Sequence, residues 1–145
     1  GAYVFVQFMA LTRLPIDFAE WVVALEMHPL LIMCATVVVY LILGAFLDAI
    51  GLILLTVPFI SPAIFKLGFD PIWFGIVVVK LVEIGLLTPP VGIQAYVLKG
   101  AASDLSLKEI FSGFIPFFLV DIFLVIGLLI AFPGIALFLS DLMGG

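Results

Sequence analysis

The chain has 145 residues, 66% of them hydrophobic, a formal net charge of −5 and a mean hydropathy of +1.50. Too few polar residues are present to cover a soluble domain of this size, so apolar surface must face something other than water, and lipid is the default. The acidic balance excludes a basic nucleic-acid surface, while a single cysteine, Cys34, and a single histidine, His28, exclude an internal disulfide, a Cys-ligated zinc cluster and a His-rich metal site.

In lipid every backbone polar group must be satisfied within the protein, which leaves helices or closed barrels. Short alternating strands with Asn-Gly turns do not occur and the apolar runs are long, so the expected fold class is all-α and integral to the membrane. The chain opens within an apolar run, without a charged leader and cleavage site, and we expect it to be a portion of a longer membrane protein.

Residues 1–11 read as the tail of a membrane helix ending at Thr12 and Arg13. Between 13 and 28, Arg13, Asp17 and Glu20 fall on one helical face and Phe18, Val22 and Leu25 on another, which predicts a helix lying at the interface with Trp21 as its anchor. The other reading is a polar loop with one helical turn. Pro29 starts an apolar run to Leu47. Asp48 follows, flanked by Gly44 and Gly51, and a second apolar run extends from Leu52 to Phe65. Residues 30–65 form either a spanning helix and a separate short segment or a helical hairpin that turns near Asp48 inside the membrane; we take the hairpin. Irregular backbone at membrane depth is tolerated only where protein covers it or it lines a cavity, so a hairpin already implies a site.

After a turn at Gly68, Asp70 and Pro71, residues Ile72–Leu87 read as a helix with Lys80 and Glu83 one turn apart and able to pair. Thr88, Pro89, Pro90, Val91 and Gly92 interrupt it, and a shorter run resumes from Ile93 to Lys99. Ser106 and Glu109 have capping-box spacing, and Leu107, Ile110, Phe111 and Phe114 share a stripe, which predicts a second short amphipathic helix. Phe114–Leu139 is apolar enough to span, with Pro116 and Asp121 near its start; Asp121 is expected at the interface. Lysine and arginine counts divide evenly between the two sides and do not orient the chain.

The interruption is where chemistry is expected, the other reading being a simple proline kink. Neither proline has a backbone N–H, so in a helix Pro89 and Pro90 would leave the carbonyls of Gly85 and Leu86 without their partners four residues on. Residues preceding proline avoid the α region, which pushes Thr88 and Pro89 out of the helix. Carbonyl and hydroxyl oxygens suit a hard cation such as Na⁺. The half-helix starting near Val91 presents open N–H groups that suit a carboxylate. Broken helices of this kind build the sites of many secondary transporters. Asp48 can cap the second hairpin leg, help hold a cation, or do both. With one histidine and one cysteine no nucleophile–base pair is evident, so an enzyme is not expected.

Gly44-Ala45-Phe46-Leu47-Asp48, Thr56 with Pro58 and Pro62, Leu67 through Gly75, Gly85 through Gly92, and Pro116-Phe117 together resemble the large permease subunit of TRAP transporters (tripartite ATP-independent periplasmic transporters, DctM-like), in its C-terminal half. The resemblance implies one of two inverted repeats of an elevator-type secondary transporter, with a re-entrant helical hairpin and a broken transmembrane helix. Residues 1–28 would be the end of a scaffold helix and an interfacial arm, 29–102 the transport-domain hairpin and broken helix, and 103–145 a second arm and a C-terminal transmembrane helix. A Na⁺ site would comprise Gly44, Asp48, Gly85, Thr88 and Gly92, and Thr88, Pro89, Pro90, Val91 and Gly92 would bind substrate. The implied function is Na⁺-coupled import of small organic acids, C4-dicarboxylates or similar carboxylates, across a bacterial cytoplasmic membrane. The implied partners are a periplasmic substrate-binding protein, a small TRAP membrane subunit and the N-terminal half of the same permease. An ion-coupled anion carrier without a binding protein and a non-transporting structural subunit are the alternatives.

Overall fold

The computed structural model describes residues 1–88 and 92–143, all helical apart from short connections. In chain order the helices are α1 (Ala2–Thr12), α2 (Leu14–Ala24), α3 (Pro29–Gly44), α4 (Ala49–Lys66), α5 (Pro71–Leu87) and α6 (Ile93–Ala101). α7 (Leu107–Leu119) then leads through a π-helical stretch, Val120–Ile126, into α8 (Gly127–Ala131), and α9 (Pro133–Met143) follows. Among the described residues two helical stretches are long and apolar enough to cross a membrane, Ala49–Lys66 and Leu107–Ala131.

Local chemistry sets most of the boundaries. His28 Nδ1 accepts from the Leu30 amide, and Pro29, which has no N–H to satisfy, opens α3. Asp70 Oδ1 accepts from the amides of Ile72 and Trp73 at 2.7 and 3.0 Å, with Pro71 in the first turn of α5. Ser106 and Glu109 form the reciprocal capping box that their spacing predicts. α2 occupies most of the predicted interfacial segment, so the loop alternative for residues 13–28 does not hold.

α3 and α4 are the two legs of a hairpin whose turn is residues 45–48. Thr56 Oγ1 lies 2.7 Å from both the Tyr40 hydroxyl and the Leu52 carbonyl oxygen. Its single proton serves the carbonyl, and Tyr40 donates to Oγ1, which ties the legs together in the core. α5 is the central helix. Trp73, Phe74, Val77, Val78, Leu81 and Ile84 are all buried, packed against the hairpin and the C-terminal helices. The Trp73 indole N–H donates to the Leu129 carbonyl at 2.7 Å and fixes α8 against α5.

α2 packs on the second hairpin leg through Ala19, Val22 and Ala63, with Phe18 stacked on Phe59 at 4.4 Å and Lys66 paired with Glu20 at 3.4 Å. An apolar cavity of about 580 Å³ remains between α2 and the hairpin.

The predicted second amphipathic helix does not stop before the spanning run. α7 continues from Leu107 through Gly113 and Pro116, because its capping box starts the helix and no C-terminal stop intervenes before the π-helical stretch. The spanning run is in turn divided at Phe132 by Pro133, which has no N–H to continue α8.

Candidate ion and substrate site

The interruption after α5 is real. The helix ends at Leu87, Thr88 is extended (φ −82°, ψ 129°), and α6 begins after Gly92 at φ +45°, ψ +62°, in the left-handed region. Pro89, Pro90 and Val91, three of the five predicted substrate contacts, lie outside the described residues.

Thr88 satisfies the end of α5 with its own atoms. Its amide donates to the Gly85 carbonyl at 3.0 Å and its hydroxyl to the Ile84 carbonyl at 2.8 Å. The Gly85 carbonyl therefore gains a partner three residues on where the helical one is lost. The hydroxyl proton is committed, so the lone pairs of Oγ1 are what Thr88 offers to a cation. Gly92 folds back on the same turn: a Cβ placed on it would lie 3.5 Å from the Thr88 carbonyl oxygen. No side chain caps α6 among the described residues, and its first bond within the helix is from the Ala95 amide to the Gly92 carbonyl, at 2.7 Å. The leading amides of α6 thus face the interruption.

The hairpin reaches this point through glycine. A Cβ added to Gly85 would lie 2.7 Å from Cα, 2.9 Å from C and 3.1 Å from O of Gly44. The backbones of α3 and α5 touch there, at the last residue of α3 and one turn before Thr88. Four of the predicted Na⁺ residues, Gly44, Gly85, Thr88 and Gly92, are thereby gathered around the end of α5.

Asp48 stands apart from them in its bonding. Its Oδ2 accepts from the Gly51 amide at 2.9 Å and caps α4, the side chain is exposed, and among the described residues it makes no hydrogen bond to the interruption. The capping role is the one the geometry displays.

Two relationships were not legible in the sequence. Lys80 bonds Glu83 at 2.6 Å, as expected, but also Asp121 in the π-helical stretch at 3.2 Å, so Asp121 is turned toward α5. Phe111 of α7 packs against Gly92, its Cε1 only 2.6 Å from where a Cβ would sit. Both pairs join residues far apart in sequence, and no spacing signals them.

The family described as Tripartite ATP-independent periplasmic transporter, DctM component, matches residues 1–135 of the chain. The chain belongs to this family. It is 33% identical, over its whole length, to the sialic acid TRAP transporter large permease protein SiaM of Vibrio cholerae, and 32% identical over 99% of its length to the C4-dicarboxylate TRAP transporter large permease protein DctM of Pseudomonas aeruginosa. It covers 34% and 33% of those two proteins. A third relative, 30% identical over 77% of the chain and covered to 26%, is the 2,3-diketo-L-gulonate TRAP transporter large permease protein YiaN of Escherichia coli. The chain thus spans about a quarter to a third of the length of these three permeases, and all of its helices before α9 lie within the family match.

Proposed function

We propose that these residues form one half of the translocation site of a sodium-coupled TRAP permease that imports a small organic acid. The observation that carries the reading is the backbone contact of Gly44 and Gly85, which sets a hairpin tip beside a broken helix. Lone pairs of Thr88 Oγ1 and nearby peptide carbonyls offer the hard oxygen ligands that Na⁺ takes, with Asp48 at the hairpin tip as a source of negative charge. The amides opening α6 offer hydrogen bonds and a positive dipole end to a substrate carboxylate. Placing cation and anion at one interruption couples them, since each lowers the electrostatic cost of the other in a low-dielectric setting.

The relatives named above carry sialic acid, C4-dicarboxylates and 2,3-diketo-L-gulonate in their names, and the last two families of compound share with the first a carboxylate. That common group suits the α6 N-terminus. On this reading the hairpin, α5 and α6 move as a carrier against arms that include α2, in a multi-pass protein of the bacterial inner membrane. A soluble binding protein delivers substrate, and a small membrane subunit and the rest of the permease complete the assembly.

Uptake by the full-length permease, reconstituted with its binding protein, tests the reading. Thr88→Ala is expected to abolish Na⁺-dependent uptake while leaving expression intact, and Asp48→Ala to weaken it. Unchanged uptake and unchanged Na⁺ dependence in both variants would remove the site.

A further inference from the structure

Glu83 presents a problem that the site does not absorb. The Asp70 cap begins α5, and Glu83 lies 13 residues further on, roughly 20 Å along the helix axis at 1.5 Å per residue. With the exposed Asp70 cap at the membrane surface, that distance puts Glu83 inside a hydrocarbon core of about 30 Å. Lys80 carries one positive charge and is shared by two carboxylates, Glu83 and Asp121, so the cluster retains one negative charge in excess. Asp121 is the more covered partner at 17% side-chain exposure; Glu83, at 51%, is the one that faces outward.

Its surroundings define a surface. α5 is largely buried, and its exposed positions, Pro71, Ile72, Gly75, Val79 and Glu83, form one narrow stripe, spaced three and four residues apart from Ile72 onward. Nothing lies within 4 Å of a Cβ placed on Gly75, so a neighbouring backbone can approach closely there. An ionised side chain left facing lipid at this depth costs about 2.5–3.5 kcal/mol, and such groups face protein or water instead.

We propose that this stripe packs against another transmembrane helix of the assembly, and that this helix carries a lysine or arginine opposite Glu83. The excess negative charge selects the cation, and the small and β-branched residues above it select an apolar helix. None of the five basic side chains of the 145 residues fits the role: Lys80 is inside the cluster, Lys66 is paired with Glu20, and Arg13, Lys99 and Lys108 stand at helix ends.

The test uses the full-length permease in lipid vesicles, on a cysteine-free background. A nitroxide attached at Val79→Cys, one turn from Glu83, reports its surroundings through collisions with oxygen, which is rich in lipid, and with a neutral nickel chelate, which is confined to water. The expected result is collision rates several-fold below those of a nitroxide on a lipid acyl chain (oxygen) and of one at Ser103→Cys (nickel chelate). Oxygen access matching the lipid label, or nickel access matching Ser103→Cys, would overturn the packing. The charge is read separately: Glu83→Gln is expected to lower the thermal midpoint of the assembled permease and Glu83→Lys to lower it further. A rise in the midpoint on Glu83→Gln is what a lipid-facing carboxylate would give, and it would overturn the cation.

Discussion

Gly44 and Gly85 touch backbone to backbone, and the contact is asymmetric. A Cβ on Gly85 would meet three backbone atoms of Gly44 between 2.7 and 3.1 Å, whereas one on Gly44 would meet Gly85 Cα at 3.0 Å and otherwise only a flexible leucine methyl at 3.5 Å and another backbone atom at 3.9 Å. Gly85→Ala must therefore push the hairpin away from α5, since no backbone atom can yield cheaply. We expect Gly85→Ala to cost on the order of 1–3 kcal/mol and to reduce uptake strongly. Gly44→Ala should be the milder of the two. Thermal unfolding and initial uptake rates of the two variants, side by side, check the order; an equal or reversed ranking would contradict the contact.

At Gly92 two separable penalties fall on one residue. Its φ of +45° disfavours any side chain, by roughly 1–2 kcal/mol, and a Cβ would strike the Phe111 ring. Gly92→Ala should lose stability for both reasons. Adding Phe111→Ala should remove only the part due to the ring, so the loss of the double variant, less that of Phe111→Ala alone, should fall between zero and the loss of Gly92→Ala. A double-mutant cycle on thermal midpoints measures this, and strict additivity would show that the ring is not what the Cβ meets.

Charge counting around Lys80 ranks three substitutions. Lys80→Met leaves Asp121, the more covered carboxylate, without its cation, and should cost on the order of 3 kcal/mol or more. Asp121→Asn leaves Lys80 neutralised by Glu83 and should cost much less. Lys80→Met combined with Asp121→Asn should recover most of the loss. Midpoints of unfolding in detergent give the ranking directly, and a Lys80→Met variant as stable as Asp121→Asn would refute it.

Two buried hydrogen bonds hold the core helices in place. Tyr40→Phe removes the donor to Thr56, whose hydroxyl keeps its bond to the Leu52 carbonyl, and should cost about 0.5–1.5 kcal/mol. Trp73→Phe removes the donor to the Leu129 carbonyl and also opens space beside it, so it should cost more. The comparison needs only the two thermal midpoints.

The sequence by itself determined that the chain lives among lipids as helices, because so few polar residues leave no other surface. It also determined where several helices start and where one breaks. Pro29, Asp70 with Pro71, and Ser106 with Glu109 act within four residues of themselves, and the break at Thr88 follows from prolines that lack an N–H. What only the tertiary structure decided are the meetings between helices: Gly44 with Gly85, Gly92 with Phe111, Lys80 with Asp121, Trp73 with Leu129. Capping and proline effects are local and can be read from neighbours in the chain. Close packing depends on which faces the helices turn toward one another, and that is a property of all of them at once.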